Sequence, residues 1–123
     1  MSACPFCPPE PDRVFWEGAL VVALWDGFPV SAGHALLVPK RHVPDWFAAT
    51  ADEQRDLIEG LAHVRSVIRA RHGPDGFNIG VNVGAAAGQT VFHLHVHVIP
   101  RYLGDVEDPR GGVRHVIPGK GRY

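Results

Sequence analysis

Three histidines stand at alternate positions in the stretch FHLHVHVIPR, as His93, His95 and His97, with Leu94, Val96 and Val98 as the apolar alternates. The alternation has the period of a β-strand with one apolar face and one imidazole face. Residues two apart on a strand lie roughly 6.5–7 Å apart at Cα and point the same way. The three rings are therefore expected on one face, with Leu94, Val96 and Val98 in the core. The plain reading is the wet side of an amphipathic strand, but Thr, Lys, Glu and Ser ordinarily fill such a side. Two chemical readings remain. His-x-His on a strand, completed by a ligand from elsewhere, can hold a metal with an open coordination position. Alternatively, one neutral imidazole attacks an electrophile while its neighbours fix its tautomer and shuttle protons. The histidines alone do not choose.

The preceding loop helps. NVGAAAGQT has the composition of a phosphate loop but lacks the Gly-Lys-Ser/Thr ending, and it precedes a strand rather than a helix, so it is not a Walker A motif. Small residues still let main-chain N–H groups converge on an anion. Gln89 and Thr90 add side-chain donors just before the histidines. Loop and histidines together read as phosphoryl or nucleotidyl chemistry.

A second constellation is Cys4-Pro-Phe-Cys7. Redox motifs of this spacing sit after a strand at a helix start. Here the pair precedes every element and is followed by Pro8-Pro9. The remaining readings are two unrelated thiols, or half of a structural zinc site that needs two more ligands.

The elements that must position these groups are legible. Residues 13–17 and 19–25 are β-rich runs broken at Gly18, residues 26–33 are dense in turn formers, and HALLVPKRH is a third strand that Pro39 stops. Thr50 and Glu53 form a capping box ahead of a helix whose stripe is Leu57, Leu61, Val64 and Ile68, broadened by Ile58 and Ala62. Gly73-Pro74 stops it. GFNIGVNVG reads as a fourth strand and TVFHLHVHVIPR as the fifth and longest. The expected architecture is α+β, an antiparallel sheet of about five strands with one long helix on a face. His63, His72 and His115 are expected at the surface.

The chain of 123 residues is expected to form one domain, with an N-terminal cysteine segment over residues 1–12 and a tail over 102–123. The apolar share of 46% and charged share of 20% are those of an ordinary globular protein. A net charge of −1 leaves no footprint for nucleic acid or an anionic membrane, so an anionic ligand must be held by placed donors. No run approaches the roughly 18 apolar residues of a membrane span, and no secretory signal is visible. With only two, closely spaced cysteines, a reducing cytoplasmic location is expected. The tail is mildly basic, and Arg110 and Arg114 are candidate phosphate contacts.

GQTVFHLHVHVIPR resembles the signature of the histidine triad (HIT) superfamily, His-φ-His-φ-His-φ-φ with φ apolar. The similarity extends through LWDGFPVSAGHALLVPKRH, the capped helix and NVGAAAGQT, about residues 13–101. The resemblance implies a sheet-and-helix domain, usually a homodimer, that binds nucleotides and acts at the α-phosphate without a catalytic metal. By the same resemblance His95 is the nucleophile and becomes transiently nucleotidylated. His97 contacts the phosphate and leaving group, and His34 and His93 complete the catalytic set. Asp26 matches the position that holds ribose hydroxyls. Asn82, Gly88, Gln89, Thr90 and Val91 match the phosphate-binding loop. Family members with an N-terminal C-x-x-C bind structural zinc through it and two histidines. The matching ligands here are Cys4, Cys7, His42 and His93.

The resemblance points to dinucleoside polyphosphates or nucleoside phosphoramidates, with an adenine-containing nucleotide as the expected substrate. The reading from a different class is a non-catalytic nucleotide-binding module of the same fold. The intact set of histidines favours an enzyme.

Overall fold

The computed structural model describes residues 4–123; residues 1–3 of the expected N-terminal segment lie outside the described residues. The strands are β1 (Val14–Glu17), β2 (Val21–Trp25), β3 (Ala35–Pro39), β4 (Gly76–Gly80) and β5 (Val96–Arg101), with the helix α1 (Ala51–His72) between β3 and β4. They form one five-stranded sheet in the order β1-β2-β3-β5-β4. Every neighbouring pair is antiparallel. The first three strands make a meander, and β5 then inserts between β3 and β4. This is the expected α+β architecture.

The register assigns the two faces. Ala23, Leu37 and Val96 lie across from one another, as do Ala35 and Val98. They share the helix face, where they pack against Leu57, Val64 and Ile68 of α1. On the opposite face Leu24 lies across from Leu36, and Leu36 from His97, which itself lies across from Gly80. Phe6 of the N-terminal segment packs on this second face with Val22, Leu24, Leu36 and Val38.

α1 begins as its sequence dictates. The Thr50 hydroxyl accepts from Glu53 N–H, and the Glu53 carboxylate accepts from Thr50 N–H. Gly73 ends the helix in the left-handed region at φ 60°, where its N–H reaches Arg69 O. The buried stripe is narrower than expected. Ile58 and Ala62 face solvent, and the positions that approach the sheet include Gly60. A Cβ at Gly60 would come within 3.0 Å of Leu37 Cδ2, so the missing side chain lets α1 sit close to β3. His63 stacks on Trp16, and both His63 and His72 are exposed as expected. Among the described residues no helix is long and apolar enough to cross a membrane.

The fifth strand is shorter than expected. Only residues 96–101 are in the sheet, while residues 91–95 leave it. β3 ends at Pro39, and its ladder with β5 closes at Leu37 and Val96. Beyond that pair the chain turns aside, and Leu94 N–H binds Val43 O at 2.8 Å. His93 and Leu94 are both buried outside the ladder, yet the alternation persists. Leu94 joins the helix-side core with Val96 and Val98. The histidine rings lie on the other side, with Phe6 against His93 and His95, and His95 against His97.

Candidate active site and adjoining metal-ligand cluster

Leaving the sheet at residue 96 separates His93 from its neighbours. Its ring is fully buried, and its Nε2 lies 2.8 Å from Pro39 O. A carbonyl only accepts, so Nε2 carries the proton and Nδ1 presents a lone pair. That Nδ1 lies 3.4 Å from Cys4 Sγ, 3.3 Å from Cys7 Sγ and 3.1 Å from His42 Nδ1. Cys7 Sγ is 3.3 Å from His42 Nδ1, and all four atoms lie within 4.8 Å of one another. A tetrahedral zinc with Cys and His ligands separates its donors by about 3.3–3.8 Å. Donor type, donor number and spacing therefore fit a metal. The bond to Pro39 O is the outer contact that holds such a ring in the required tautomer.

His95 faces away from this cluster. Its Nδ1 donates to the main-chain oxygen of His93 at 2.8 Å, which leaves Nε2 unprotonated and nucleophilic. One side of the ring is walled by Phe6, 5.5 Å away between ring centres, and His97 lies 5.1 Å away on another. Phe6 also meets the edge of His93 at 5.6 Å. The aromatic residue between the two cysteines thus touches the rings of both histidines.

His97, in β5, is set by a chain of bonds that starts at the main chain. Val30 N–H donates to His34 Nδ1 at 3.1 Å, so His34 carries its proton on Nε2. That Nε2 donates to His97 Nδ1 at 3.0 Å, and the remaining proton of His97 stands on Nε2. Asp26 sits beside the pair, its Oδ2 3.4 Å from His34 Nε2 and its Oδ1 accepting from Phe28 N–H. Burial pushes the His97 pKa down to about 4; His95 and His34 push the same way, and Asp26 opposes them. His34 is lowered too, by burial against the pull of Asp26. Both rings are neutral at neutral pH. The ligand atoms of Asp26, His34 and His97 also lie within 4.8 Å of one another. The proton that Val30 forces onto His34 Nε2 makes that contact a hydrogen bond and gives a metal no lone pair there.

The loop after β4 is built from within. The Gln89 amide donates to Pro44 O and Val91 O, and its oxygen accepts from Gly84 N–H. The expected side-chain donor at Gln89 is therefore spent on shaping the loop. Main-chain N–H groups of Gly88 and Gln89 also close turns, on Ala85 O and Gly84 O. Both Gly84 and Gly88 have positive φ, 89° and 94°, which the tight turn requires. Among the described residues, Asn82, Thr90 and Val91 keep donors that the loop's own hydrogen bonds do not use. Asn82 lines one cavity with His34 and His97.

Several participants carry no sequence signal: Val30 N–H, Pro39 O and His93 O act through the main chain. Phe6 could have been noticed as the one large apolar residue inside the cysteine motif. His115, expected as an uninvolved surface residue, is exposed yet lines the His97 cavity. Arg110 and Arg114 are engaged within the tail, on Asp108 and on Lys120 O.

A family profile described as HIT domain matches residues 8–104. The chain is 41% identical over 97 residues to an uncharacterized HIT-like protein of Methanocaldococcus jannaschii, which covers 79% of this chain and 74% of that one. It is 37% identical over 100 residues to the bis(5'-nucleosyl)-tetraphosphatase [asymmetrical] of Schizosaccharomyces pombe, covering 81% of this chain and 55% of that enzyme. This chain thus spans only about half of a relative whose name states an activity. A crystal structure of a HIT-family member from Bacillus subtilis superposes with a TM-score of 0.75 at 33% identity, covering 82% of this chain and 74% of that one. With the family profile spanning most of the sequence, the chain belongs to the HIT-domain family.

Proposed function

We propose that the protein is a nucleotide hydrolase or nucleotidyltransferase that works at the α-phosphate through a transient nucleotidyl group on His95. The observation that carries this reading is the bond from His95 Nδ1–H to His93 O. It leaves Nε2 as a free lone pair, on a ring 5.1 Å from that of His97. As the Nε2–P bond forms and the bond from phosphorus to the leaving oxygen breaks, the His95 ring becomes cationic. The carbonyl that accepts from Nδ1–H stabilises that charge. Water then displaces His95 from phosphorus, and its proton passes to solvent. Splitting one displacement into two is the ordinary gain of covalent catalysis.

The neutral His97 supplies a hydrogen bond to developing charge rather than a full proton. That suits leaving groups that depart as phosphate anions, and so favours dinucleoside polyphosphates over phosphoramidates. The name of the fission-yeast relative is in keeping with this class. Asp26 would hold the ribose hydroxyls, and Asn82, Thr90 and Val91 the phosphate oxygens, with Gly88 and Gln89 shaping the loop.

Cys4, Cys7, His42 and His93 would hold a structural zinc with no position open to substrate. When bound, the metal would tie the N-terminal segment to the chain that carries the nucleophile. Free thiols suited to a metal, Cys7 exposed and Cys4 half-buried, fit a reducing compartment such as the cytoplasm. A homodimer is the assembly that suits the surface. β4 is an edge strand, and beside it lies an apolar groove lined by Phe47, Ile58, Ile79 and Val81.

The reading is tested by AMP release from diadenosine polyphosphates and adenosine phosphoramidate, comparing wild type with His95→Ala. Loss of at least about a thousandfold in the variant is expected. Equally slow release by both proteins from every substrate would leave a nucleotide-binding module instead.

A further inference from the structure

The tail after β5 is built over the catalytic face of the sheet. Its root is fixed by Arg101, which grips Asp105 through two bonds of 2.7 and 2.9 Å, and by the Tyr102 hydroxyl donating to Ala32 O. Its far part closes on itself. His115 Nε2 donates to Arg110 O, and Arg114 Nε donates to Lys120 O. The His115 ring lies so close to Gly121 that any side chain there would collide with it. Between these anchors a short turn of 3-10 helix, Gly112–Val116, stands against β4.

The turn lines one side of an open cavity of about 660 Å³ that reaches His34 and His97. His34, His97 and Asn82 form one end, Ile99, Asn78 and Gly80 the floor, and Val113, His115 and Val116 the outer wall. Val113 and Val116 are 62% and 76% exposed, so neither belongs to a core. Two valines held over a phosphoryl-transfer site by a braced turn have apolar surface to offer and no internal partner to receive it.

The strand order gives the cavity a direction. Asp26 follows β2, His34 precedes β3, His95 precedes β5 and His97 stands on it, and the cavity lined by His34 and His97 continues over β5 and β4. A substrate with its ribose at Asp26 and its reacting phosphorus at His95, whose ring lies 5.1 Å from that of His97, extends its departing half past His97 into this space. The volume is far larger than ammonia needs and lies within the range of cavities that take drug-sized ligands. Its lining combines aliphatic faces, an imidazole and an amide. Such a surface receives a planar heteroaromatic ring.

We propose that residues 112–116 wall a leaving-group subsite, with Val113, His115 and Val116 selecting leaving groups that end in a nucleobase-like ring. The inference rests on the α-phosphate reading above. It adds where the departing half is bound and which residues choose it.

The test uses two substrates that share the AMP half, diadenosine tetraphosphate and adenosine 5'-phosphoramidate. The readout is the ratio of their kcat/KM values in the full chain, in Val113→Ser/Val116→Ser, and in Val116→Trp, which fills the cavity instead of emptying it. Thermal unfolding confirms that each variant is folded. Loss of wall contacts or of space is expected to lower the ratio about tenfold, against the dinucleotide. An unchanged ratio in both folded variants overturns the subsite, whether the two activities fall in parallel or not at all. If wild type turns over neither substrate, the α-phosphate reading itself fails and the subsite with it. A ratio that stays constant in an active enzyme overturns the subsite alone.

Discussion

His93 and His95 are joined by a bond of 2.8 Å from the ring of one to the main chain of the other, yet their own free nitrogens face different sites. His93 Nδ1 points to Cys4 and Cys7, and His95 keeps Nε2 free on a ring 5.1 Å from that of His97. One residue therefore adjoins both centres, its ring among the four side chains that could hold a metal and its carbonyl bonded to the ring proposed as the nucleophile. Anything that moves residue 93 is expected to move the tautomer control of His95.

The metal reading gives a direct expectation. Elemental analysis should find about one zinc per chain. Cys4→Ser should lose most of it and lower the unfolding temperature, because zinc binding to a structural site is coupled to folding. Full zinc content in that variant would remove Cys4 from the ligand set.

Phe6 is 5% exposed and fills the face of the sheet formed by Val22, Leu24, Leu36 and Val38. Phe6→Ala should cost about 3–5 kcal/mol in denaturant unfolding, and Phe6→Leu distinctly less. Because the same ring walls His95, Phe6→Leu should lower kcat more than it raises KM. A variant with unchanged stability and kcat would mean that the segment only drapes over the surface.

Acid should weaken the fold through His97. Its folded pKa is about 4 against an ordinary 6.5, so between those values the unfolded chain binds a proton that the folded chain refuses. The stability it contributes is complete above about pH 6.5 and is lost progressively as pH falls towards 4. The whole window is worth up to about 3 kcal/mol. Urea unfolding between these pH values, wild type beside His97→Asn, should show a shallower dependence in the variant. Equal slopes would mean that His97 is not held neutral by its burial.

How much of this the sequence displayed depends on the kind of interaction. The capping box at Thr50 and Glu53 and the stop at Gly73 are local, and they appear in the structure as expected. The alternation around His97 is local too, and it correctly buries Leu94, Val96 and Val98. Alternation could not say where the ladder ends, because that depends on pairing with another strand, which closes at Leu37 and Val96. The alternating pattern runs on through His93 and His95, which lie outside the ladder. Gln89 was expected to offer its amide to an anion, but a loop's own carbonyls compete for such donors, and Pro44 O and Val91 O take it. Phe6 and His115 act across long sequence separations, and periodicity holds no record of those contacts.

The central claim is the covalent step at His95. Mixing enzyme with diadenosine tetraphosphate, quenching within a turnover and digesting for mass spectrometry tests it most directly. One AMP unit attached to the peptide through His95, and absent from His95→Ala, is the predicted result. Turnover with no adduct at any time, or an adduct on a different residue, would contradict it.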